Sequence, residues 1–183
     1  MKRMPGKAIG VSVLAAWAAT ASAQTNFQWT ATVDEAWSGA NWINDMVTPA
    51  GPPAGGAADY TLTFSQAATY TANNDLAGSF FLNGLRFGAG SPTLTGAALV
   101  LTNRGAVAPL VTNWGGGVAT VGNSVEFGTH GTLGAAAGST LVMGGVLGGA
   151  GNVTNTGAGS VILAGNNSYS GATVVRSSGS GAW

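Results

Sequence analysis

The chain contains no cysteine, so no disulfide can brace it. Charge is nearly as scarce: Lys, Arg, Asp and Glu make up 7% of the 183 residues, against about 25% in an average domain. No apolar run beyond the N-terminus is long enough to cross a bilayer as a helix. From Gln24 onward lysine is missing altogether, and arginine occurs only at 86, 104 and 176. Against them stand Asp34, Glu35, Asp45, Asp59, Asp75 and Glu126, a formal charge of −3 (three minus six). Three scattered Arg cannot line a groove that tracks phosphates, which argues against nucleic acid as a partner. Amphipathic helical spacing is also missing from Tyr60 on, and with 31 Gly in the chain helices would pay about 1 kcal/mol for each interior Gly.

What is present points to an ordered β protein. Hydrophobic residues make up 45% of the chain and six are Trp, too many for a disordered one. The N-terminus has the layout of a secretory signal: Lys2, Arg3 and Lys7, then small apolar residues from Ala8 to Thr20, then Ala21-Ser22-Ala23. Residues 1–23 are therefore expected to be removed by signal peptidase before Gln24. Secretion would have permitted disulfides, so the mature chain must be held by backbone hydrogen bonds and packing alone.

Three regions follow. Residues 24–59 hold Trp29, Trp37 and Trp42 and then the Pro/Gly-rich "TPAGPPAGGAAD", which excludes regular structure. Residues 60–175 are uniform: "DYTLTF", "TLTGAALVLT", "GVATVGNSVEF", "GSTLVMGGVLGG", "GSVILAG" and "GATVV" are strand-like runs, most of them bounded by Gly, Asn or Ser. Their later apolar centres fall near Val142, Val153, Ile162 and Val174. Short strands so spaced suit a sandwich, a barrel or a solenoid. Corners rich in Gly and Asn favour the solenoid, as do consecutive apolar residues and low charge, because like charges stacked about 4.8 Å apart repel. Asn152, Asn155, Asn166 and Asn167 are expected at corners, bonding backbone and the amide of the next coil. Residues 176–183, "RSSGSGAW", break the pattern and are expected to be a frayed tail at which a longer protein is truncated.

The stretch "GGAGNVTNTGAGSVILAGNNSYSGATVV" resembles the autotransporter-associated β-strand repeat, or passenger-associated transport repeat. Gly149, Gly151 and Val153 match its opening. Gly157, Gly159, Val161 and Leu163 match its middle, and Gly165, Asn167, Tyr169, Gly171, Thr173 and Val175 its end. The resemblance implies a right-handed parallel β-helix passenger, exported across the outer membrane by a β-barrel translocator. It would transit the periplasm and finish at the cell surface or outside. The family pattern continues with a Gly-led strand, whereas here Arg176 and the tail follow Val175.

Candidate sites are few. Trp29, Trp37 and Trp42 could stack on sugars, or could close the N-terminal end of the solenoid, which needs a cap. Tyr169 could bind a ligand or cover the end of a coil. His130 is the only histidine and has no metal-site partners near it in sequence. Asp34 and Glu35 are neighbours, so on a strand they face opposite ways and cannot act as a pair. The sequons at Asn152 and Asn166 read as by-products of Asn-rich corners. These features predict no catalytic, cofactor or metal residue. They predict a non-enzymatic surface protein forming a stalk or adhesive surface, with a glycan-binding adhesin and a β-helix polysaccharide-degrading enzyme as alternatives.

Overall fold

The computed structural model describes residues 23–44, 51–52 and 54–176. The signal-peptide expectation, apart from Ala23, and all of the tail except Arg176 lie outside them. The described chain is all β and winds into a solenoid of about five turns. A partial first turn comprises β1 (Thr25–Trp29), β2 (Glu35–Ala36) and β3 (Trp42–Asn44). Full turns follow: β4 (Tyr60–Phe64), β5 (Thr69–Asn74) and β6 (Phe80–Leu82), then β7 (Gly84–Phe87), β8 (Ser91–Gly96) and β9 (Leu99–Leu101). The next two are β10 (Leu110–Asn113), β11 (Val118–Val121) and β12 (Val125–Phe127), then β13 (Gly131–Ala135), β14 (Thr140–Met143) and β15 (Leu147–Gly149). β16 (Val153–Thr156), β17 (Ser160–Leu163) and β18 (Thr173–Arg176) complete the series.

Each of the four full turns contributes one strand to each side of a three-sided tube. Sheet A runs β3-β1-β4-β7-β10-β13-β16-β18, sheet B runs β2-β5-β8-β11-β14-β17, and sheet C runs β6-β9-β12-β15. Among the described strands all pairings are parallel except β3 on β1, which is antiparallel and places Trp42 opposite Trp29. Thr61 lies beside Gly84, Gly84 beside Leu110, Leu110 beside Thr132, Gly131 beside Val153 and Val153 beside Thr173, offsets of 23, 26, 22, 22 and 20 residues. The solenoid thus begins at β1 rather than at Tyr60, and most of the Trp-rich region is its first turn.

Alternation along each strand fills the tube. In sheet A one inward column is Phe27, Leu62, Leu85, Val111 and Leu133, all buried. The next column inward reads Trp29, Phe64, Phe87, Asn113 and Ala135, so its side chains shrink along the axis. The apolar centres named from the sequence are out of phase in part. Val153 is buried, but Ile162 is 47% exposed, and Leu141, Met143, Val161 and Leu163 do the inward packing. Outward Val and Ile are at home on a pleated surface, so apolar character alone does not reveal which face is inside.

Candidate functional site

The six glycines that match the repeat share one geometry. A methyl at any of them would come within 3.0 Å of a backbone carbonyl oxygen: Gly149 over Phe127, Gly151 over Thr129, Gly157 over Ala135, Gly159 over Ala136, Gly165 over Gly145 and Gly171 over Gly151. Each of these carbonyls belongs to the preceding coil. Gly149 and Gly157 also have φ of 103° and 102°, which disfavours any L side chain. The glycines therefore allow successive corners to lie directly on one another.

The remaining motif residues fix the same corners. Asn167 accepts the Leu147 N–H through Oδ1 at 2.9 Å, tying its turn to the coil before. Asn152 accepts the Ala172 N–H at 2.8 Å, and its own N–H donates to His130 Nδ1 at 3.0 Å. His130 is thus one rung of a corner ladder. The Tyr169 ring packs partly buried against the core, and its hydroxyl pairs with Thr173 Oγ1 at 2.5 Å. Leu163 stands in register with Met143, and Val175, 73% exposed, stands beside Asn155.

Two expectations about asparagine change. Asn155 is not at a corner: it lies within β16, in register with buried Leu133, and its Oδ1 is buried without a partner. The asparagines that brace corners most strongly are Asn83, Asn113 and Asn123, which the sequence did not single out. Each is buried and donates twice from Nδ2 to backbone carbonyls: Asn83 to Thr102 and Val107, Asn113 to Gly117 and Thr140, Asn123 to Thr95 and Ala97. Their partners are backbone groups rather than stacked amides. Only the short "FLN", "TNW" and "GNS" contexts hint at them, an Asn just after or before an apolar run.

Trp29, Trp37 and Trp42 are each fully buried, so none presents a ring face to a sugar. Trp42 meets Trp29 edge-on at 5.0 Å and Trp37 at 5.4 Å, and Phe64 lies within 6.1 Å of all three. The cluster sits where β3 covers the edge of β1, and Trp42 Nε1 donates to the Trp37 carbonyl at 3.1 Å. The acids of this region tie the first turn to the second: Asp34 accepts the Thr71 N–H at 2.5 Å, Asp59 the Thr25 hydroxyl at 3.1 Å, and Asp75 the Ser38 hydroxyl and N–H. The Ser38 bonds hold the Asp75 carboxyl below its usual range. Burial pushes the Tyr70 hydroxyl, beneath Trp29, up to about 12.

Among the described residues no group of three or more His, Cys, Asp and Glu is placed to hold a metal ion, and no helix is long and apolar enough to cross a membrane. Comparison with known protein families, with curated proteins and with solved structures finds no match to this chain.

Proposed function

We propose that the chain is an exported, non-enzymatic β-solenoid of the passenger kind, whose work is mechanical: a stiff stalk or adhesive surface outside the cell. One observation carries the reading. The residues that make up the repeat are spent on coil stacking, with each motif glycine over a carbonyl of the preceding turn. Each finished coil then offers a complete template to the next, and coils that fold in order as they emerge would draw the chain outward. The N-terminal layout supports export with cleavage by signal peptidase, and the resemblance to the passenger repeat adds a translocator barrel as the export partner.

The test is fractionation of a Gram-negative host expressing the full chain, with mass spectrometry of the product. The expected species starts at Gln24 and lies outside the cytoplasm. A cytoplasmic product retaining Met1 contradicts the reading, and release of reducing ends from pectin, alginate or xylan contradicts its non-enzymatic part.

A further inference from the structure

Trp114 is the tryptophan among the described residues whose ring faces solvent, 49% exposed. It occupies the corner "NWGGG" at 113–117, where β10 ends and the glycines turn the chain into β11. Pairing continues past the strand end: the Trp114 N–H donates to the Phe87 carbonyl at 2.9 Å, and the Ala136 N–H to the Asn113 carbonyl at 2.8 Å. The equivalent positions in the coils on either side are therefore Gly88 and Ala136. The indole lies over Gly88, where a methyl would meet ring atoms Cζ2 and Cε2 at 2.9 and 3.2 Å. The indole is thus seated on a glycine, and about half of the residue's surface is left to solvent.

Beside the ring, on the outer face of sheet A, is a notch of about 210 Å³. Thr112, Gly134 and Thr156 stand in register across three coils, and Thr112 Cγ2 and Thr156 Oγ1 lie within 3.2 Å of where a methyl on Gly134 would stand, so the two threonines form the walls of the notch. No ionisable group lines this notch.

We propose that Trp114 and the Gly134 notch form a binding site for a neutral β-linked pyranose chain. The half-exposed indole offers apolar surface to the flat axial C–H face of such a sugar, and their contact removes that surface from water. Thr112 and Thr156 flank the notch, and the Thr156 hydroxyl, which donates to the Leu133 carbonyl at 3.4 Å, keeps an acceptor for a sugar hydroxyl. Charge decides against acidic glycans, peptide termini and nucleotides, because the uncharged lining offers such groups no ion-pairing partner. The site is shallow and open, so it suits a chain lying across it rather than an enclosed small molecule. It is independent of the export and stiffness of the solenoid, and it differs from the buried tryptophan cluster at the N-terminal end.

The test titrates the folded full chain with cellohexaose, xylohexaose and chitohexaose, read by tryptophan fluorescence and calorimetry. At least one hexasaccharide should saturate the signal. Trp114→Ala should weaken it at least about tenfold with an unchanged thermal midpoint, since the ring is exposed. Thr156→Val, which keeps shape and loses a hydroxyl, should weaken it as well. The proposal is overturned if none of the three binds, if Trp114→Ala binds as tightly as the parent chain, or if only polygalacturonate or a peptide is bound.

Discussion

Between Gly151 and the Thr129 carbonyl there is no room for a methyl group, and Gly171 stands over Gly151 in the same way. Gly151→Ala must therefore push two coils apart at a buried corner, and it should cost at least about 2 kcal/mol in a urea unfolding midpoint. Gly148→Ala is the control three positions away. Its nearest neighbour would be Ser168 Oγ at 3.8 Å, an ordinary contact, and its effect should stay within about 0.5 kcal/mol. Asn155 makes the opposite prediction. It takes an inward position beside Leu133 with a buried acceptor left unpaired, so Asn155→Leu should raise the midpoint by about 1 kcal/mol. Tyr70 sets an alkaline limit. Its hydroxyl titrates near 12 in the fold and near 10 when unfolded, so between those values the unfolded chain holds fewer protons and stability falls as pH rises. Tyr70→Phe should flatten that slope in pH-dependent melts, leaving the part due to Tyr60, which burial and Asp59 also push up.

At the scale of elements, β3 is the one strand that breaks the parallel order, and it does so at an edge that would otherwise be open to pairing. Its inward residue, Trp42, meets Trp29, Trp37 and Phe64. Trp42→Ala should cost about 3–5 kcal/mol and expose the other two indoles to acrylamide quenching. Ile43, on the outward side of the same strand and 48% exposed, should tolerate Ala with little change. The strands were legible from the sequence because Val, Leu and Thr runs alternate with Gly and Asn, and the close-packed corners because glycine recurs where a carbonyl lies beneath. The phase of β14 and β17 was not legible, since Leu141 and Val161 go in while Val142 and Ile162, equally apolar, go out. Nor could the sequence separate the roles of the tryptophans. Trp42 turns inward from β3 and Trp114 stands half-exposed at the corner after β10, a tertiary difference. Asn113 and Asn155 show the same limit, one a fully bonded corner brace and the other an unpaired residue within a strand.

Across the whole molecule, the aromatic N-terminal turns and the smaller, partly exposed last turns predict unequal stability along one axis. Hydrogen exchange should be slowest in β4 and β7, whose inward Leu62, Phe64, Leu85 and Phe87 are fully buried, and fastest in β17 and β18. The account depends most on one coil stacking on the next in fixed register. The absence of cysteine lets that be measured, because introduced Cys pairs carry spin labels at chosen sites only. Gln28, Thr63, Arg86, Thr112, Gly134, Thr156 and Arg176 form one outward column of sheet A. Labels at Gln28 paired with 112, 156 or 176 are separated by three, five and six coil steps, about 14, 24 and 29 Å of axis at ~4.8 Å per step. Double electron–electron resonance should show the three distances lengthening in that order by those increments. Distances that fail to grow with coil number, or a 28–176 separation no longer than 28–112, would contradict the stacked solenoid.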